Sequence, residues 1–119
     1  LKILIVEDNK SLAEMTCEYL KLFGHEAAAV HCGSECIRKA DKMRPDVILC
    51  DIGLPDMSGY EVAMKIRKSA ELKDTVLIAV SGYARSEDIK RSHEAGFDRH
   101  LAKPVYMDML RTTLDKICK

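Results

Sequence analysis

A chain of 119 residues has room for one hydrophobic core, and its 19 Lys and Arg against 19 Asp and Glu leave no net charge to draw it to nucleic acid or an anionic membrane. Its longest apolar runs, such as Val76 to Val80, are about five residues, far short of the ~18 that span a bilayer, and no signal-peptide pattern precedes them. We therefore expect one domain over residues 1–119, cytoplasmic, binding neither nucleic acid nor membrane. The opening at Leu1 rather than Met suggests a piece of a longer protein.

Five apolar or β-rich runs alternate with helical patterns. The first strand is Lys2 to Val6. The helix after it should start near Ser11, where Ser11 and Glu14 read as a capping box, with Leu12, Met15, Tyr19, Leu22 and Phe23 as its apolar stripe and Gly24 as its stop. Glu26 to Val30 is the second strand. The second helix runs from about Ser34 to Lys42 with Cys36, Ile37 and Ala40 inward, and ends before Pro45, which disfavours helix at Arg44. Val47 to Cys50 follows, then a third helix opened by Ser58 and Glu61 and carrying Val62 and Ile66. After the fourth strand, Val76 to Val80, a helix starts near Ser86, carries Ile89 and stops at Gly96. The short strand Arg99 to Ala102 leads into the last helix, with Tyr106, Met109, Leu110, Thr113, Leu114 and Ile117 on one face.

Strict alternation of strand and helix predicts a parallel sheet covered on both faces, an α/β three-layer sandwich. Ile3 to Val6 and Val47 to Cys50 are continuously apolar, as strands buried on both sides should be. Five such units suggest the flavodoxin-like (βα)5 fold with strand order 2-1-3-4-5. Cys17, Cys32, Cys36, Cys50 and Cys118 form an odd set with no Cys-x-x-Cys spacing, so neither a zinc site nor a disulfide framework is indicated. They read as small apolar residues in a reducing compartment. His25, His31 and His93 share no metal-ligand spacing and read as surface or boundary residues.

In an open α/β sheet ligands bind beyond the carboxyl ends of the strands, near the point where strand order reverses. The first strand ends in Glu7 and Asp8, the third in Asp51, the fourth in Ser81 and the fifth in Lys103 and Pro104. One acidic residue after a strand is commonly a helix cap. Three that converge are costly: two like charges ~4 Å apart repel by ~4 kcal/mol at an effective dielectric of ~20, so such a cluster tends to hold a proton or a cation. Hard oxygen ligands with open positions suit Mg²⁺, which keeps several waters and binds one or two carboxylates plus a phosphate. With the Lys103 ammonium and the Ser81 hydroxyl, these groups describe phosphoryl transfer to a carboxylate nucleophile.

The run Ile3-Leu4-Ile5-Val6-Glu7-Asp8-Asn9, the segment Pro45 to Asp51 with Leu54-Pro55 and Ser58-Gly59 after it, Ser81-Gly82 and Lys103-Pro104 together resemble the receiver domain of bacterial two-component response regulators. The similarity covers essentially the whole chain. It implies that Asp51 is the phosphoacceptor and that Asp8 and Asp51 are direct Mg²⁺ ligands. Glu7 would act largely through a metal-bound water, and the Gly53 carbonyl would complete the protein's ligands. Lys103 would pair with the phosphoryl oxygens, Ser81 would donate a hydrogen bond to one of them, and the Lys103–Pro104 bond would be cis. The donor would be a phosphohistidine of a histidine kinase or phosphotransfer domain, with a downstream effector as the second partner. Such a domain helps catalyse its own phosphorylation and dephosphorylation.

His100 departs from the commoner pattern, in which that place holds a Tyr or Phe that turns inward on activation; with Ser81 it is the candidate switch. Tyr83, two residues past Ser81, would lie over the phosphoryl group or be a plain loop aromatic. The stretch Gly96 to Pro104 resembles receivers of hybrid sensor kinases more than those of DNA-binding regulators. A haloacid-dehalogenase-type phosphatase would need a second Asp where Gly53 stands, and a flavodoxin would need a Ser/Thr/Gly-rich loop where Glu7-Asp8-Asn9-Lys10 stands. A receiver-like interaction module that acts without phosphorylation is the remaining alternative, and such modules typically lack one of the acidic or lysine residues kept here.

Overall fold

The computed structural model describes residues 1–82 and 85–118. Five strands, β1 (Lys2–Val6), β2 (Glu26–Val30), β3 (Val47–Asp51), β4 (Val76–Ser81) and β5 (Arg99–Ala102), alternate with α1 (Lys10–Leu22), α2 (Gly33–Met43), α3 (Gly59–Arg67), α4 (Ser86–Ala95) and α5 (Met107–Cys118), and a short 3₁₀ turn, Ala70–Leu72, precedes β4. All neighbouring strands are parallel, in the order β2-β1-β3-β4-β5. This is the flavodoxin-like topology expected from the alternation.

The two faces of each strand feed separate cores. Leu4, Val6, Ile48, Cys50, Leu77 and Ala79 point toward α2, α3 and α4, where they meet Cys36, Val62, Ile66 and Ala95. Ile3, Ile5, Val47, Leu49, Ile78 and Val80 point the other way, onto Cys17 and Leu20 of α1 and Leu110 and Leu114 of α5. Ile3, Leu4, Ile48 and Ile78 are fully buried, so truncating any one to Ala should cost roughly 2–5 kcal/mol.

Helix ends follow local chemistry. Ser58 Oγ accepts the Glu61 N–H at 3.3 Å and opens α3. Arg44, before Pro45, takes the left-handed conformation with φ 52° and closes α2. Gly96 closes α4 with φ 118°, where an added Cβ would also meet Arg67 Cγ at 2.7 Å.

Two expectations for α1 need correction. Its cap is Asn9, whose Oδ1 accepts the Leu12 N–H at 3.1 Å; the helix therefore starts at Lys10, and Ser11 lies inside it. The buried stripe is Ala13, Thr16, Cys17 and Leu20, one position away from the predicted one. Cys17 and Leu20 pack with Ile3 and Ile5, whereas Leu12, Met15, Leu22 and Phe23 are exposed. Phe23 packs its ring against Tyr19, 4.9 Å between centroids, and takes the Arg111 guanidinium at 3.9 Å, which ties α1 to α5. In α5 likewise, Leu110 and Leu114 are buried while Met109 is exposed, as is Tyr106 just before the helix.

Candidate functional site

Two strands run one residue further than their apolar patterns suggest, and the additions are Asp51 and Ser81. Both are buried by strand pairing, and Asp51 stands opposite Val80 in the register. A β1 extension carries Glu7 and Asp8 to the same edge: the Glu7 N–H donates to Val30 O at 3.1 Å, and His31 Nδ1–H donates to the Glu7 carbonyl at 3.0 Å. Each of Glu7, Asp8 and Asp51 offers a carboxylate oxygen within 4.8 Å of the others, with Asp8 exposed and the other two buried.

Lys103 reaches this cluster from the end of β5. Its Nζ donates to Asp51 Oδ2 at 2.7 Å and lies 3.8 Å from Glu7 Oε1. The Lys103 N–H donates to Ser81 O at 2.8 Å, which fixes the end of β5 against β4, and the Lys103–Pro104 peptide is cis. The loop after β3 is held equally closely. Gly53 N–H donates to Asp51 Oδ1 at 3.2 Å, and Gly59 N–H to Ile52 O at 2.8 Å. A Cβ on Gly59 would fall 2.7 Å from the Asp51 carbonyl oxygen, so the first turn of α3 approaches β3 only because that residue is glycine.

The charges respond to this crowding. Burial is the main reason Glu7 is held above the ordinary carboxylate range; the Asn9 N–H opposes it, while Asp8 and Asp51 add to it. Burial works against the Lys103 ammonium, but the hydrogen bond and charge of Asp51, with Glu7 and Asp8 behind it, outweigh burial and raise its pKa. Three carboxylates thus share one lysine, which leaves negative charge for a divalent cation to neutralise, and the oxygen-only donor set suits Mg²⁺.

Burial pushes the Cys36 thiol up to about 12, raises Cys50 well above its ordinary value and raises Cys17.

His100 has its two ring nitrogens on two serines: Nε2 lies 2.9 Å from Ser81 Oγ and Nδ1 2.8 Å from Ser92 Oγ on α4. The ring therefore already touches Ser81. Ser92, 1% exposed, escaped the sequence reading because nothing in the α4 pattern distinguishes a bonded serine from a packed one. Asp56 escaped it too: its carboxylate accepts Gly33 N–H at 2.8 Å and Ser34 N–H at 2.9 Å, which hold its pKa down and anchor the loop beyond Asp51 to the start of α2. Tyr83 lies outside the described residues.

A buried aspartate at the end of the central strand, an acidic pair beside it and a lysine from the last strand define a receiver of the CheY-like class. The chain belongs to the response regulator receiver domain family, whose sequence description matches residues 3–115, and so to two-component signalling. It is similar to the polar-differentiation response regulator DivK of Brucella anthropi, 33% identical over 103 residues that cover 87% of this chain and 84% of that protein. Among solved structures it superposes on the chemotaxis protein CheY4 of Vibrio cholerae with a TM-score of 0.92 at 29% identity, covering 98% of this chain and 97% of that one. It also superposes on the receiver domain of the sensor histidine kinase PA1611 of Pseudomonas aeruginosa, with a TM-score of 0.89 at 30% identity, covering 99% and 98%; that structure holds a magnesium ion in its active site cleft.

Proposed function

We propose that this domain accepts a phosphoryl group on Asp51 from a phosphohistidine of a histidine kinase or histidine phosphotransfer domain, and that the phosphorylated form presents a changed protein-binding surface. The carrying observation is the 2.7 Å contact between Lys103 Nζ and Asp51 Oδ2 inside a cluster of three carboxylates. Glu7, Asp8 and Asp51, with the Gly53 carbonyl, would hold Mg²⁺, which when bound neutralises charge on the transferred group.

An oxygen of the Asp51 carboxylate attacks phosphorus, the P–N bond to the donor imidazole breaks, and the imidazole leaves with the bond's electron pair and takes up a proton. The product is an acyl phosphate. Lys103, fixed through its backbone to Ser81, stays within reach of the phosphoryl oxygens and offsets their charge without reorganising. Ser81 donates its hydroxyl to one of those oxygens, and His100 transmits that change toward α4, β5 and α5.

A donor must approach from the open side of this edge. Leu12, exposed on α1, shares with Asp51, Lys103, Val105 and Met107 a largely apolar cleft of about 410 Å³, which suits a partner that docks beside the acceptor. Among the described residues no helix is long and apolar enough to cross a membrane, and the balanced charge gives no support to nucleic-acid binding. The reading places the domain in the cytoplasm, where such phosphodonors work.

Intact-mass spectrometry with a small phosphodonor tests the proposal. The wild type should gain one phosphoryl group in Mg²⁺ and far less in a chelator, and Asp51→Asn should gain none at a comparable rate. Labelling of Asp51→Asn as fast as wild type would overturn it.

A further inference from the structure

Two segments carry the proposed metal ligands, and the turn between β2 and α2, which carries none of them, touches both. At the start of that turn His31 reaches back to β1, where its ring Nδ1–H donates to the Glu7 carbonyl at 3.0 Å. A carbonyl can only accept, so the proton in this contact sits on Nδ1. The Glu7 N–H already donates to Val30 O at 3.1 Å, and a parallel ladder that ran on would next bring the Cys32 N–H to Glu7 O. The chain turns into α2 instead, and the ring fills that rung. Glu35 holds the turn's own backbone, its Oε1 accepting the His31 N–H at 3.2 Å.

Two residues further on, the same turn grips the loop after β3. The Gly33 and Ser34 N–H groups donate to the two Asp56 carboxylate oxygens at 2.8 and 2.9 Å, so Asp56 caps α2 from outside the helix. Gly53 and Ser58 pair across an antiparallel bridge, and a fixed Asp56 therefore fixes the arm that carries the Gly53 carbonyl. Met57 seats against the turn so closely that a Cβ on Gly33 would fall 2.4 Å from Met57 Cγ.

We infer that His31 is a positioning residue for Mg²⁺: with Asp56 it makes the β2–α2 turn a strap that holds the Glu7–Asp8 turn and the Gly53 arm at the spacing the ion requires. The inference rests on the reading of Glu7, Asp8, Asp51 and Gly53 as the ligands. The β1–β3 ladder ends at the pair Val6 and Cys50, one residue short of Glu7 and Asp51, so the spacing beyond it depends on other contacts. In the metal-free chain the three carboxylates repel one another. A strap that resists their separation lowers the rearrangement needed when the ion arrives, and so raises affinity.

The test begins with metal-free wild-type protein ¹⁵N-labelled at histidine, at mildly alkaline pH. Two-bond nitrogen–proton NMR should show a neutral His31 protonated on Nδ1, and a neutral ring protonated on Nε2 overturns the inference before any variant is made. Variants are then compared by their Mg²⁺ dissociation constants, read from amide NMR shifts without phosphodonor. His31→Asn places an amide N–H at the reach of Nδ1 and should bind Mg²⁺ nearly as tightly as wild type. His31→Phe keeps a ring but loses the donor, and should bind about fivefold more weakly, the worth of one net hydrogen bond. Equal affinities for these two variants overturn the inference. Asp56→Ala should also weaken binding, and combining it with His31→Phe should add little to the larger single loss, because a strap cut at one end no longer spans the two arms. Losses that multiply would make the two residues independent supports and overturn the strap. Failure of the ligand reading would look different: Mg²⁺ would leave the Asp8 and Asp51 amides of wild type unshifted, with the Nδ1 tautomer standing.

Discussion

Where the strands begin, Arg67 at the end of α3 donates from Nε to Gly96 O at 2.9 Å, from Nη1 to Thr75 O at 2.8 Å and Lys73 O at 3.2 Å, and from Nη2 to Asp98 Oδ2 at 2.7 Å. Asp98 Oδ2 also takes the Leu77 N–H at 2.9 Å, so one cation and one anion satisfy the turns that feed β4 and β5. Where the strands end, three carboxylates crowd around one lysine. Both edges are charged. The first has balanced its charges within the protein and contributes stability; the second keeps an excess of one sign and is available for chemistry.

If that contrast holds, substitutions at the two edges should separate function from folding. Beyond the acceptor Asp51 itself, the largest effect belongs to Asp8→Ala, which should lower Mg²⁺-dependent phosphorylation by a small donor at least ~100-fold, a loss of about 3 kcal/mol of transition-state stabilisation. Its circular dichroism and urea midpoint should stay near wild type. Normal phosphorylation of that variant in Mg²⁺ would move the metal elsewhere.

Arg67→Ala should invert the pattern. Three carbonyls and a carboxylate lose a charged donor, so unfolding in urea should cost about 2–3 kcal/mol less. Phosphorylation by the same small donor should change by no more than about twofold below the transition. A large catalytic loss in the folded variant would show that the edges are coupled.

Much of the second edge was legible in the sequence. Glu7, Asp8, Asp51, Ser81 and Lys103 each follow a short apolar run, and a parallel sheet brings the ends of such runs together whatever the loops do. The first edge was not, because Arg67 meets Gly96 and Asp98 across about thirty residues of chain, and no periodicity marks that meeting. The face of α1 was misjudged for a related reason. The sequence pattern points the larger apolar side chains inward, but the face that α1 buries is Ala13, Thr16, Cys17 and Leu20, of which Cys17 and Leu20 pack with Ile3 and Ile5. Asn9 and Ser11 are both good caps, and only the backbone decides between them.

A finer comparison sets chemistry against signalling within the second edge. Ser81→Ala should still accept phosphate from a small donor yet lose most of the amide NMR shift change around α4 on adding beryllofluoride. His100→Ala should do the same if the ring carries the change. A full response in Ser81→Ala would route the coupling through other residues.

The smallest effect concerns Glu7 in metal-free protein. Its pKa is raised in the fold by burial and by its acidic neighbours, so the native state resists its ionisation. That penalty is absent below the ordinary carboxylate range, grows as pH rises toward the elevated native value, and is full above it. Glu7→Gln should remove it, making the metal-free chain modestly more stable than wild type at neutral pH and no more stable in acid. A variant less stable than wild type at neutral pH would mean that Glu7 is held by favourable pairing instead.

The central claim is that this edge directs a phosphoryl group to Asp51. Wild-type protein treated with a small phosphodonor and Mg²⁺, trapped with hydroxylamine and mapped by peptide mass spectrometry should yield a single hydroxamate, on Asp51. A hydroxamate on another carboxylate, or a phosphoryl group that resists hydroxylamine, would contradict the account.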